Sequence, residues 1–277
     1  MASLRHILLD LVKGLPAVSP LSVALAARRP GRMHLMLADV RRLYRMYAGL
    51  RLPSIAPWEL LEFEDRFQLT FGENDVFAAL EESFLIAQLV AIQRPERIFE
   101  IGTSQGRTTA LMAMNTPETT RIFTLDLPPE MAVPKGATDL HLVELARKEL
   151  GIAFRETNWA PRITQLLGDS RTFDFSPYYD SIDFATVDGS HSYPFVFSDS
   201  MQAFRMIRPG GVILWHDYES MRSEYGVTRF VDGLRYRHGL PSYRLGRPLG
   251  AARYGVISVT GDIKQKVMSL AENPERF

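Results

Sequence analysis

The spacing of hydrophobic positions along this chain changes near residue 74. Upstream, from Met1 to about Thr70, short apolar stretches are cut by Pro16, Pro20, Pro30, Pro53 and Pro57. Each proline fixes φ and removes an amide donor, so no long element survives there. Met33–Leu50 keeps apolar residues at Leu35, Leu37, Val40, Leu43 and Met46, near helical spacing. The expectation is a helical, irregular extension over 1–74. Downstream, Asn74 can cap a helix over Asp75–Ile92. A regular alternation then begins. Strands are predicted at Arg97–Ile101, Arg121–Asp126, Ile163–Leu167, Ile182–Asp188 and Gly211–Asp217. Helices are predicted at Arg107–Met114, Asp139–Leu150, Ser192–Ile207 and Val227–Tyr236. Two β-rich stretches, Ser242–Leu245 and Arg253–Val259, close the chain. Strands alternating with helices predict an α/β fold with a parallel sheet covered on both faces.

In such sheets the ligand crevice lies beyond the carboxyl ends of the strands. Those ends carry Gly102, Asp126, Asp169, Asp188, His216 and Asp217. Glu100-Ile-Gly-Thr-Ser-Gln-Gly106 reads E-x-G-x-x-x-G between a strand and a helix. Gly102 permits a tight turn with close backbone approach to a ligand, and Gly106 starts the helix without a side chain in the way. The spacing is not that of dinucleotide binders, and no Gly-Lys-Ser/Thr marks a phosphate loop. Asp126 ends the next strand, where a carboxylate accepts hydrogen bonds from ribose hydroxyls. Asp169-Ser170 ends the third strand, where it could receive an adenine amino group.

Taken in order, Phe-Glu-Ile-Gly-Thr-Ser-Gln-Gly-Arg-Thr-Thr, Thr-Leu-Asp126, Gly-Asp169-Ser, Val-Asp188-Gly-Ser-His191-Ser-Tyr and Arg-Pro-Gly-Gly-Val-Ile-Leu-Trp-His216-Asp217-Tyr resemble the class I S-adenosylmethionine-dependent methyltransferases. The branch they are most similar to holds sugar and antibiotic O-methyltransferases and cephalosporin-hydroxylase-like proteins. The resemblance covers about Asp75 to Val259. It implies a Rossmann-like, doubly wound sheet of about seven strands, mostly parallel with the last antiparallel. It implies a cofactor domain over 75–277, with 1–74 as a lid or oligomer contact. By the same resemblance Glu100, Gly102, Thr103, Ser104 and Gly106 belong to the cofactor loop, around the methionine part of S-adenosylmethionine. Asp126 would hold the ribose, Asp169 with Ser170 the adenine, and Asp188 the methionine amine, a metal, or both.

His191 follows Asp188 by three positions and should face the same crevice. An imidazole of near-neutral pKa can take a proton from a substrate hydroxyl as it attacks the sulfonium methyl. His191 and Asp188 are therefore the expected catalytic pair. His216-Asp217 ends the fifth strand. Successive side chains alternate across a strand, so both can enter one site only if the strand has already ended. In the resembling metal-dependent enzymes an acid pair stands here, and this chain has His216 in place of the first acid. Asp188, His216 and Asp217 are the candidate ligands of a divalent cation, Mg²⁺ or Mn²⁺. Methyl transfer is an in-line displacement that depends chiefly on positioning. The expected activity is O-methylation of a small hydroxylated molecule, a sugar or secondary metabolite. The rivals are a metal-dependent, hydroxylase-like enzyme on the same fold and a protein that binds S-adenosylmethionine without catalysis.

Composition narrows the class. No cysteine is present, which removes disulfide frameworks, zinc thiolates and thiol nucleophiles. With 46% hydrophobic residues the chain has material for a sizeable core. The formal net charge is +0, which argues against nucleic acid as the main partner. That neutrality is a cancellation. Met1–Arg51 carries nine basic residues against two acids, and Leu52–Glu100 carries ten acids against three basic residues. The basic segment is expected to dock on the acidic one, within the chain or in a homo-oligomer. The apolar runs fall short of the roughly 20 residues a membrane span needs. Without a signal-like start, a cytoplasmic location is expected.

Overall fold

Segments rich in β-branched and aromatic residues become strands that are buried on both faces. Ile182–Val187 is buried at all six positions, and Arg97–Ile101 at four of five. The computed structural model describes residues 52–55, 77–131, 133, 135–137, 148–219, 226–245 and 253–272, without the side chains of 77–80. The boundary expected at 74, the basic extension 1–51 and most of the helix expected over Asp139–Leu150 lie outside these residues.

In chain order the described elements are β1 (Ser54–Ile55), α1 (Phe77–Gln93), β2 (Arg97–Ile101), α2 (Arg107–Met114), β3 (Arg121–Asp126), α3 (Ile152–Arg155), β4 (Ile163–Leu167), β5 (Ile182–Val187), α4 (Tyr193–Met206), β6 (Ile207–Trp215), α5 (Gly226–Asp232), β7 (Tyr243–Leu245), β8 (Tyr254–Val259) and α6 (Gly261–Ala271). All belong to the unit Pro53–Phe277. The sheet order is β1-β7-β8-β6-β5-β2-β3-β4. Only β8 runs antiparallel, against both β6 and β7. The expected seven strands are therefore present with the last one reversed. The eighth is β1, two residues long and parallel to β7, inside the stretch expected to be helical.

The chain runs outward from β2 through β3 to β4, then returns to place β5 on the other side of β2. A crevice opens at such a reversal, beyond the carboxyl ends of β2 and β5. On one face α1 and α2 cover the sheet. Ile86, Leu89 and Val90 pack there with Leu111, Met112, Ile98, Ile122, Phe184, Val212 and Leu214. On the other face Trp215 of β6 lies against Phe204 of α4 and Phe230 of α5, with ring centroids 6.1 and 5.9 Å away. Its indole N–H donates to Ser200 at 2.8 Å, so the largest buried side chain leaves no polar atom unpaired.

Three details depart from the sequence reading. Strand β6 begins at Ile207, directly after α4, rather than at Gly211. The helix expected to reach Tyr236 ends at Asp232 and passes into a π-helical turn, Gly233–Arg237. A last helix, α6, follows β8, and Thr260 caps it by accepting from the Ile263 N–H. Only Val267 of that helix is buried, so it lies mostly on the surface.

Candidate active site

The strand ends are stitched to one another one residue past the sheet. Gly102 N–H donates to Leu125 O, Gly168 N–H to Asp126 O, Asp188 N–H to Ile101 O, and His216 N–H to Val187 O, at 2.8 to 3.2 Å. This ladder lines up the loops that carry the expected site residues. A cavity of about 290 Å³ opens on them, near the lower end of small-molecule sites. Its walls include Gly102, Thr103, Ser104, Gly106, Asp126, Asp169, Ser170, Asp188, His191, His216 and Asp217. Eleven of the twelve residues singled out in the sequence thus share one cavity.

The twelfth, Glu100, lies behind it. Its side chain is buried and accepts from the hydroxyls of Thr109 and Thr124, the latter at 2.6 Å. Thr103 and Thr124 share a hydrogen bond of 2.6 Å, and Gln165 donates to Thr103 at 3.1 Å. The hydroxyls relay a hydrogen-bond chain from β4 to β2 beneath the glycine loop. Burial pushes the Glu100 carboxyl up to about 8 despite the two threonines. Ile101 lines the cavity, its neighbour Glu100 alternates to the other side of the strand, and Glu100 so supports the loop from below.

Asp126 holds the loop from the side. Its Oδ2 accepts from the backbone N–H of Thr103 at 3.0 Å and of Ser104 at 2.7 Å, and its Oδ1 from Leu127 at 2.7 Å. Burial nevertheless raises its carboxyl above the usual range. Gly102 and Gly106 both have positive φ, 102° and 79°, as the tight turn requires. Asp169 is gripped by Arg171, whose guanidinium donates to both carboxylate oxygens, and is held below its ordinary value by that bond. Arg171 in turn lies over the ring of Phe195, 4.5 Å from its centroid.

The second half of the cavity is a cluster of acids and imidazoles. His191 stands in the loop before α4, as its spacing predicted. Strand β6 ends at Trp215, and Asp217 has φ 59°, so the chain turns and delivers both His216 and Asp217 to the same side. His216 Nδ1 lies 3.0 Å from Asp188 Oδ1 and 3.6 Å from Asp217 Oδ2. His191 Nε2 lies 3.1 Å from Asp217 Oδ2 and 3.7 Å from Asp188 Oδ1. One possible ligand atom from each of the four falls within 4.8 Å of the others.

The electrostatics follow from this crowding. Burial would lower the His191 pKa, but bonds to and charges of Asp188 and Asp217 overcome it and push it to about 10. The near-neutral imidazole expected from sequence is thus an imidazolium at neutral pH in the cofactor-free chain. His216 is raised well above its ordinary value against the same burial penalty, chiefly by Asp188. Burial would raise Asp188 and Asp217, and the two histidines hold both carboxyls below the usual range instead.

Three participants gave no sequence signal. Glu82, on α1, brings its Oε2 to 3.3 Å from His216 Nε2. Arg253, just before β8, reaches both Glu82 (3.5 Å) and Asp217 (3.2 Å). Asp199 is buried on α4 beside Gly189, and burial pushes its carboxyl up to about 7. The Glu81-Glu82 pair reads as an ordinary acidic helix face, and only the packing of α1 against the sheet turns one of the two inward.

Residues 99–218 match the family model described as a methyltransferase domain. Over this segment the chain is similar to a methyltransferase domain. The match runs from Phe99 within β2 through β6 and takes in every residue of the cavity singled out above. Glu82 and Arg253 lie outside the matched methyltransferase segment. Among solved structures, the chain is similar to the O-methyltransferase TomG of Streptomyces achromogenes, in complex with SAM. That similarity has 20% identity over 67% of this chain and 82% of that one, TM-score 0.45. An O-methyltransferase from Bacillus cereus in complex with SAH gives 21% identity over 68% and 84%, TM-score 0.44. A methyltransferase from Geobacter sulfurreducens gives 14% over 65% and 78%, TM-score 0.42. No curated protein matches the chain. Among the described residues, no helix is long and apolar enough to cross a membrane.

Proposed function

We propose that this methyltransferase transfers the methyl group of S-adenosylmethionine to a hydroxyl oxygen of a small molecule, a sugar or secondary metabolite. The observation that carries the reading is the position of the Asp188–His191–His216–Asp217 cluster in the same cavity as the glycine loop. Such a cluster is suited to deprotonating an oxygen nucleophile, the step that O-methylation adds to simple displacement.

Glycines 102 and 106 bring the loop backbone close to the cofactor, and Asp126 fixes that loop through two amides. Asp169 and Ser170 form the far wall, where the adenine would lie. His191 is the proton acceptor. Free, it holds its own proton, because two carboxylates face it. A cationic sulfonium bound in this cavity would disfavour that proton by like-charge repulsion and so favour the neutral imidazole that can accept one. Asp188 and Asp217 keep the imidazole oriented throughout, and positioning supplies most of the rate.

The cluster also suits a divalent cation. Glu82, Asp188 and Asp217 against Arg253 leave two negative charges uncompensated when both imidazoles are neutral. Two imidazolium protons or one divalent cation balance them equally. Asp188, His216 and Asp217 would hold Mg²⁺ or Mn²⁺, which when bound would act as a Lewis acid on the substrate hydroxyl.

The test is direct. The purified chain should bind S-adenosylhomocysteine in a calorimeter, and should release it when supplied with S-adenosylmethionine and a panel of sugars and phenols. The product should gain one methyl group. No binding of S-adenosylhomocysteine would overturn the cofactor half of the reading. A product that gains oxygen would overturn the methyl-transfer half. Excess EDTA should lower turnover and Mn²⁺ should restore it; undiminished turnover in chelator would remove the cation.

A further inference from the structure

The cluster stands on the loops that follow β5 and β6, and two of its contacts, from Glu82 and Arg253, come from elsewhere. His216 is held at both ring nitrogens. Nδ1 faces Asp188 Oδ1 at 3.0 Å, and Nε2 faces Glu82 Oε2 at 3.3 Å, with Asp217 Oδ2 3.6 Å from Nδ1. The ring also packs against the buried Tyr254, centroid to centroid 5.1 Å. Glu82 itself is anchored: its Oε1 accepts from the Arg253 backbone N–H at 3.2 Å and lies 3.5 Å from Arg253 Nε. Arg253 then spans to Asp217.

We infer that Glu82 is a positioning residue of this site: it takes the Nε2–H of His216, and so turns Nδ1 toward Asp188 and Asp217. A carboxylate cannot donate, so a bond to Glu82 requires the proton on Nε2. Nδ1 then faces Asp188 and Asp217: protonated, it donates to Asp188 in the cation-free chain, and once that proton leaves it is the nitrogen that would hold a cation. Partners that fix the tautomer of a ligating histidine change metal affinity by about 10- to 100-fold. This inference rests on the cation reading for its metal arm alone; the ring orientation stands independently.

The experiment uses the full chain labelled with ¹⁵N-histidine, as wild type, Glu82→Ala and Glu82→Gln. Two-bond ¹H–¹⁵N spectra assign the proton of each ring nitrogen, with the His216 signals identified by their loss in His216→Asn. Mn²⁺ affinity is followed by the electron paramagnetic resonance of free Mn²⁺, and S-adenosylhomocysteine affinity by calorimetry. Wild-type His216 should carry a proton on Nε2. Glu82→Ala should alter that signal and weaken Mn²⁺ about tenfold or more, with S-adenosylhomocysteine affinity within twofold of wild type. Glu82→Gln, whose amide oxygen accepts the same N–H, should keep the wild-type tautomer and most of the Mn²⁺ affinity. A wild-type His216 with bare Nε2, or a Glu82→Ala spectrum identical to wild type, would overturn the inference. Should the wild type bind no Mn²⁺, the cation reading falls and the histidine spectra alone decide the role of Glu82.

Discussion

Replacing Gly102 by alanine should damage both stability and cofactor binding, and the two parts of the cost can be separated. Gly102 has φ 102°, a conformation that L side chains rarely adopt. Holding a residue there costs about 1–3 kcal/mol. The added Cβ would also lie 2.1 Å from the Asp188 carbonyl oxygen, 2.5 Å from its carbon and 2.9 Å from the Gly189 nitrogen. These are backbone atoms of the strand that carries Asp188, so they cannot swing aside. Overpacking of this kind adds about 1–3 kcal/mol. The total is about 4 kcal/mol. Gly210 provides the control: its φ is 90°, and a Cβ there meets nothing within 4 Å. Gly210→Ala should therefore cost the strain alone, about 2 kcal/mol. In a chain of this order each kcal/mol moves Tm by about 2–4 °C, which places Gly102→Ala about 4–8 °C below Gly210→Ala. Urea titrations and thermal melts of the two variants measure the difference. Calorimetry with S-adenosylhomocysteine should show lost affinity for Gly102→Ala and none lost for Gly210→Ala. If the two variants unfold within about 1 kcal/mol of each other, the close approach of β2 and β5 is not what requires glycine.

Asp126→Ala removes the acceptor for the Thr103 and Ser104 amides and should weaken S-adenosylhomocysteine at least about tenfold by calorimetry, since about 1.4 kcal/mol is a decade. Asp183 accepts the Glu96 and Arg97 amides at 2.8 Å each, far from the cavity. Asp183→Ala should cost about 3 kcal/mol in urea while leaving cofactor affinity intact. Glu100 titrates at about 8 when folded, against an ordinary value of 4.5, so the folded chain holds its proton longer and stability falls as pH rises from about 4.5 to about 8. Glu100→Gln, which has no proton to lose, should abolish that slope in denaturation curves taken across the range. His191, followed by NMR without cofactor or cation, should titrate near 10, and Asp217→Asn should bring it down toward 6.5.

The sequence was most legible where local rules suffice. Alternating periods announced β2 through β6, and the polar residues at their ends announced the cavity, because every parallel strand ends on the same rim. The question of whether His216 and Asp217 share a side was posed correctly by strand alternation, and the left-handed Asp217 answers it. Glu100 shows the limit of motif reading: two residues before Gly102 and inside the strand, its side chain points beneath the site. The protonation of His191 lies beyond motif reading for a related reason. Its neighbours Asp188 and Asp217 lie three and 26 positions away, and only folding brings the second to 3.1 Å. Glu82 and Arg253 were invisible because nothing in a helix face or a strand's first residue marks a contact 171 positions apart.

The reversed direction of β8 has a consequence for how this site could vary. A parallel strand must spend a crossover to bring a new side chain to the rim, whereas β8 enters the sheet at that rim, so Arg253 arrives as the chain comes in. Its placement depends on register. Gly255 pairs with Trp215, and Val256 with Leu214. A slip by one residue would carry Arg253 about 3.3 Å along the sheet and turn Tyr254 away from His216. Leu245 pairs with Tyr254 on the far side and resists that slip. The two neighbours of β8 thus act as a vernier on the charge balance of the acid–imidazole cluster. Chain-length changes between β7 and β8 that preserve this pairing would leave the cluster's charge unchanged; those that shift it would rewrite the cluster without altering a single residue within it.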